Sequence, residues 1–299
     1  MREYLLKNCR LCPRKCSVDR TNAKKGFCGA DDRIKIGRFG LHFWEEPSIS
    51  GENGSGTVFF SHCNLGCVFC QNYPISSEYI GKYVSVSELC DIFLGLQRQN
   101  AHNINLVTPT HYIPQIADAI EEAKTKGLKI PVLYNCGGYE NPEALKILDG
   151  LIDIYMPDVK YFDDKYSLKY SKAPHYFDFA LSALEEMYRQ VGKNEFFEDG
   201  TMKKGIIVRH MLLPGRLFDS KKILDRIYEK FGNNIYFSIM NQYTPMKNVQ
   251  NFPELSKKIS PKYYDALVNY AVNLGIENAY IQSEGTSSEA FIPEFFGDG

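Results

Sequence analysis

Cys63, Cys67 and Cys70 lie within eight residues and directly follow the strand-like run Thr57-Val-Phe-Phe-Ser61. Thiols this dense, at the exit of a strand, commit the following loop to one metal centre. Three thiolates can ligate three irons of a cubane and leave the fourth an open coordination position. Two separated CxxC pairs would instead close a four-ligand site, as in structural zinc. A zinc site, or a cluster borrowing a fourth thiolate from elsewhere, is the alternative for this loop.

Past residue 55, apolar strand-like runs alternate with helical stretches. The runs fall at 57–61, 104–108, 131–135, 152–156, 205–212 and 235–240. Between them, stripes such as Ile116, Ile120, Ala123 and Ile223, Leu224, Ile227, Phe231 have helical spacing. Ser85 with Glu88 has capping-box spacing, and Ser260 before Pro261 suits a helix start. Gly127, Gly192, Gly232 and Gly275 fall where the helices should stop. Six β/α units predict a parallel sheet with right-handed crossovers, an α/β fold. Six are too few for a complete eight-fold barrel, so the expected form is a partial (β/α)6 TIM-like barrel. A doubly wound sheet is the alternative. In both, function sits at the C-terminal ends of the strands.

Residues 1–50 read as a cysteine-rich extension, and 51–299 as the barrel with a short C-terminal tail. Within the extension, Cys9, Cys12, Cys16 and Cys28 are spaced as a closed four-thiolate site. Zinc is its simplest occupant, and a second cluster or no metal are the alternatives. The formal net charge of −1 argues against bulk nucleic acid as the main partner. No run approaches the roughly 20 apolar residues of a membrane span, and the N-terminus lacks a signal peptide's apolar stretch. A cytoplasmic location follows, where nine cysteines point to metal or redox chemistry before disulfides.

The CxxxCxφC pattern of Cys63-Asn-Leu-Gly-Cys67-Val-Phe69-Cys70, with its aromatic Phe69, resembles the signature of the radical SAM superfamily. The start, Cys9-Arg-Leu-Cys12-Pro-Arg-Lys-Cys16, and the tail, Ile292-Pro-Glu-Phe295, are most similar to the branch related to pyruvate formate-lyase activating enzymes, in particular its PflX-like members. The resemblance implies a [4Fe–4S] cluster whose open iron binds S-adenosylmethionine. One-electron cleavage would then give a 5′-deoxyadenosyl radical that abstracts hydrogen from a substrate. It implies an electron donor such as flavodoxin or ferredoxin. A glycyl radical enzyme would be the protein substrate. Phe69 would lie near the adenine.

The other strand ends supply candidate cofactor contacts. Where many relatives carry Gly-Gly-Glu, this chain has Val107-Thr108-Pro109-Thr110-His111. Thr108 and Thr110 can offer carbonyls or hydroxyls there, or merely cap a helix. Asn135 resembles the asparagine of the activases' Thr-Asn-Gly turn, and Gly137-Gly138 permits close backbone approach. Asp158-Val-Lys160 resembles the activases' Asp-x-Lys; a solvated ion pair is the bland reading. Arg209, inside an apolar run, is costly unless its charge meets an anion, and the cofactor's carboxylate or ribose is the candidate partner. His210 is either a ligand contact or a satisfied core histidine, Gln242 would face the substrate, and Cys136 reads as an inert thiol. Rival readings move the same radical chemistry to a small molecule, a peptide or RNA, or make the chain a non-catalytic electron carrier.

Overall fold

The computed structural model describes residues 2–282 and 295–296. Of the expected tail motif, Ile292, Pro293 and Glu294 lie outside the described residues.

The chain opens with β1 (Ile34–His42), the short helix α1 (Pro47–Ser50) and β2 (Ser55–Phe60). After α2 (Tyr73–Ser76) and β3 (Lys82–Val84), helix α3 (Val86–Arg98) leads to β4 (Ile104–Val107), and α4 (Ile113–Thr125) to β5 (Val132–Cys136). Next come α5 (Pro142–Leu145), β6 (Ile154–Pro157), α6 (Asp164–Ser171) and α7 (Tyr176–Val191). The chain then forms β7 (Glu195–Phe196), β8 (Met202–Met211), α8 (Leu217–Phe231), β9 (Tyr236–Met240), α9 (Pro261–Leu274) and β10 (Ala279–Ile281).

The sheet order is β10-β9-β8-β6-β5-β4-β2-β1-β3, an open path. From β2 to β10 all neighbours run parallel, while β1 pairs antiparallel with both β2 and β3. The partial-barrel architecture is therefore present, with seven parallel strands where the pattern suggested six. The seventh, β10, is three residues of Ala-Tyr-Ile, too short for periodicity to register. β1 had also gone unseen, although residues 34–42 join the sheet and so precede the expected boundary at residue 50.

Every residue of β2, β4, β5 and β6 is buried, as parallel strands covered on both faces must be. Side-chain alternation sorts the two faces. Tyr134, Tyr155, Ile206 and Val208 join the large core beneath the helices. Leu133, Ile154, Met156 and Ile207 face the other way and pack on Ile49 of α1, which plugs the concave side. Ser85 and Glu88 form the expected capping box of α3, with hydrogen bonds of 3.2 and 2.7 Å. Among the described residues, no helix is long and apolar enough to cross a membrane.

Candidate active site

A cavity of about 490 Å³ opens on the concave side of the sheet. Cys63, Cys67 and Cys70 line it together with Phe69, Thr108, Asn135, Asp158, Lys160, Arg209 and Gln242. Seven of the nine expected cofactor contacts are thus brought to one space by six different chain segments. The other two are not. Thr110 turns its hydroxyl into the core, donating to Glu140 at 2.7 Å. His210 points to the helix side, where Nδ1 donates to the carbonyl of Val159 at 2.7 Å and burial pushes its pKa down to about 4. Period-2 alternation explains the second case: once Arg209 faces the cavity, His210 cannot.

The cysteine loop leaves β2 through His62, whose φ is +74° although it is not glycine. Strain of this kind, of order 1–3 kcal/mol, survives only where neighbours impose it. Here Nδ1 of His62 donates to the carbonyl of Cys28 at 3.2 Å, and its ring stacks on Tyr79. The loop then docks on the end of α6 through Gly66 and Val68, which donate to the carbonyls of Ser171 and Tyr170. Arg14 of the extension donates to the Asn64 carbonyl at 2.9 Å. Thr108, at the exit of β4, also adopts a left-handed φ of +59°, held by its N–H bond to the carbonyl of Asn135.

The glycine pair after β5 serves the protein's own packing. A Cβ on Gly137 would lie 2.7 Å from Leu65 of the cysteine loop, and one on Gly138 would lie 2.4 Å from the carbonyl oxygen of Asp158. Tyr176 locks the same corner, donating to the carbonyls of Gly137 and Asp158 at 2.8 and 2.7 Å.

Arg209 is held on three sides. It donates to Asp158 at 2.8 Å, to Glu45 at 2.9 Å and to Asn135 Oδ1 at 2.8 Å. The anion that its buried charge requires is thus met by protein carboxylates. Burial alone would lower its pKa, but Asp158, Glu45 and Glu46 outweigh that and raise it. Lys160 reaches the second oxygen of Asp158 at 2.6 Å. Burial raises the Asp158 pKa less than Arg209 and Lys160 lower it, so that carboxyl stays ionised.

Glu45 and Glu46 were missed by sequence reasoning, as were His42 and Trp44, all of which line the cavity. They precede the first run that periodicity identified. Glu45 binds Asn105, Asn135 and Arg209, tying three strands together. The available signal was Glu45-Glu46-Pro47, acids beside a proline at a helix start.

The donor set fits an iron–sulfur group. Cys63, Cys67 and Cys70 ring a cavity, as ligands to separate irons do. Hydrogen bonds to sulfur come from the Leu65 N–H at 3.3 Å and from Ser171, whose hydroxyl donates to Cys67 at 2.9 Å. Burial pushes the Cys67 thiol up to about 11 and, with Cys67 and Cys70 nearby, holds Cys63 well above its usual range. Metal binding must therefore displace protons. The Cys9, Cys12, Cys16 and Cys28 side chains line a separate small cleft with Arg20 and His111.

Glu140, fully buried beneath this site, has a carboxyl that burial pushes up to about 7, against the hydrogen bonds of Thr110 and Tyr134. The folded protein therefore keeps a proton that the unfolded chain releases between about pH 4.5 and 7, so this residue's contribution to stability falls as pH rises through that window. Glu140→Gln removes the titration. Its stability relative to the parent should rise by roughly 3 kcal/mol from about pH 5 to about pH 8 in denaturant unfolding. Parallel pH profiles for the two proteins would refute this.

The open parallel barrel, with three cysteines leaving its first parallel strand into a cavity of mixed polar and apolar lining, is the arrangement of a cluster-bearing enzyme class. Residues 57–227 match the family described as the Radical SAM superfamily, and the chain belongs to it. An uncharacterised protein of Methanocaldococcus jannaschii is 26% identical over 286 residues, covering 92% of this chain and 78% of that protein. Among solved structures, Streptococcus suis SuiB bound to S-adenosylmethionine superposes with a TM-score of 0.51 at 14% identity over 75% of this chain. The FeFe-hydrogenase maturase HydG from Carboxydothermus hydrogenoformans gives 0.51 at 14% over 73%. This chain spans only 49% and 50% of those two, and the likeness concerns the fold.

Proposed function

We propose that this protein reductively cleaves S-adenosylmethionine at a [4Fe–4S] cluster held by Cys63, Cys67 and Cys70, and takes a hydrogen atom from a substrate in the manner of a glycyl-radical activase. The observation that carries the chemistry is the gathering of these three thiols with Thr108, Asn135, Asp158 and Lys160 around one cavity. When bound, the two cofactors supply one-electron cleavage of the sulfonium and hydrogen abstraction by the adenosyl fragment. The chain's own residues do the rest. Phe69, 5% exposed and edge-on to Tyr161 and Tyr243, gives the cavity an apolar wall for an adenine. Lys160 presents a cation between Asp158 and the thiols, suited to a carboxylate. Thr108 and Asn135 offer polar groups across one strand pair. The activase reading is supported by the Asp158-Val-Lys160 and Cys9–Cys16 motifs. A flavodoxin or ferredoxin would supply the electron.

Anaerobically reconstituted protein with dithionite and S-adenosylmethionine should release 5′-deoxyadenosine and methionine. A cubane signal that never responds to S-adenosylmethionine would overturn the reading. A glycyl EPR signal in a co-incubated glycyl radical enzyme tests the finer part.

We also propose that Cys9, Cys12, Cys16 and Cys28 bind one further metal, zinc being the simplest for four thiolates. Their common cleft supports it. Metal analysis of the Cys63/Cys67/Cys70 triple alanine variant should find about one remaining metal per chain. A metal-free variant sinks the proposal.

A further inference from the structure

Three carboxylates, Glu45, Glu46 and Asp158, line the cavity against two permanent cations, Lys160 and Arg209. Asp158 is bound by both cations and Glu45 by Arg209. Glu46 is the one left over. Its residue is 8% exposed, and its Oε2 is buried with no hydrogen-bond partner. Ser238 of β9 serves its carboxyl group from the other side. The remaining titratable neighbours are His42, whose pKa burial and then Arg38 and Arg209 lower, and Tyr280, whose pKa burial raises. A buried carboxyl oxygen without a partner costs about 1–3 kcal/mol, so the site is built for a donor that the chain does not provide.

The surroundings narrow the donor. Trp44, Met240 and Tyr280 give this part of the cavity aromatic and thioether walls that suit an alkyl stem and a cation. A single free oxygen matches a point-like ammonium better than the two-pronged guanidinium fork. Within the cavity Glu46 lies against β9 and β10, through Ser238 and Tyr280, whereas the thiols leave β2, five and six strands along the sheet path.

We infer that Glu46 is a substrate subsite for an aliphatic ammonium group, so that the group from which hydrogen is taken belongs to an amine or a lysine-bearing chain. This rests on the radical reading above and names its substrate class. Burial, with Glu45 adding to it, raises the Glu46 pKa in the free protein, and an arriving ammonium would restore the carboxylate.

The test uses reconstituted holoprotein and simple probes. Trp44, the single tryptophan, lines the subsite and reports occupancy by fluorescence, with calorimetry alongside. n-Butylammonium should bind roughly tenfold or more tightly than n-butanol, and Glu46→Gln should erase that preference. A lysine-containing tripeptide set against the free amine tells which source carries the ammonium, and saturable binding of either supports the subsite. Equal affinity for amine and alcohol in the parent protein overturns the inference without reliance on any variant. So does displacement of the amine by S-adenosylmethionine, because Glu46 would then serve the cofactor's own ammonium. Cofactor cleavage in the same preparation is scored separately. Its absence defeats the radical reading, whereas intact cleavage without amine preference defeats only this subsite.

Discussion

Cys67→Ala should abolish both the iron–sulfur spectrum and cleavage of S-adenosylmethionine. Cys67 is central in its motif, and its sulfur accepts a hydrogen bond from Ser171 at 2.9 Å. Alanine leaves two thiolates for a cubane that needs three, with no nearby substitute. Cys136, the other thiol lining the cavity, ends β5, two strands along the sheet from the β2 exit that carries the cysteine loop. Ser171→Ala provides the graded control. It keeps all three ligands and removes one hydrogen bond to sulfur, so cluster occupancy should fall about 10- to 100-fold in affinity. Iron content, visible absorption and product release, measured together, check the pair. Wild-type cleavage by Cys67→Ala would refute the assignment.

Arg209→Met should lower stability by about 3–5 kcal/mol, because it strands buried carboxylates. The guanidinium is the sole cation bonded to Glu45 among the described contacts, whereas Asp158 keeps Lys160. Methionine fills the volume but offers no donor. The deficit should shrink as pH falls, since Arg209 and Lys160, against burial, hold the Asp158 carboxyl below its usual range, and the stability this brings is lost once that carboxyl is protonated. Denaturant unfolding at two pH values checks both the size and the sign. An unchanged midpoint would show that the Glu45–Arg209–Asp158 bridge contributes nothing. Looser S-adenosylmethionine binding with unchanged stability would instead return Arg209 to the cofactor.

The six runs that carry real strands were legible because each is a buried apolar stretch bounded by turn residues, and their ends delivered most of the cavity. Two kinds of information were not. Which face a residue takes depends on register, so His210 could not be separated from Arg209 before the strand was placed. Thr110 failed for a different reason: a buried carboxylate thirty residues away claims its hydroxyl, a tertiary event with no local trace. Glu45 and Glu46 were hidden because β1 reads Ile-Lys-Ile-Gly-Arg-Phe-Gly-Leu-His, where two glycines and two basic residues dilute the strand signal. The charge on Arg209 was correctly read as needing an anion. That the anion lies 164 residues earlier in the chain could only be seen in three dimensions.

The bonds from Cys28 to His62, from Arg14 to Asn64 and from Glu45 to Arg209 have a consequence for shortening the protein. Each joins the segment before residue 50 to a residue inside the span 57–227 that defines the superfamily. A deletion keeping only that span would leave the cysteine loop without two of its braces and Arg209 without one of its counter-ions. The N-terminal segment is therefore not a detachable module, and any gene fusion, domain graft or minimal catalyst built from this scaffold must carry it along.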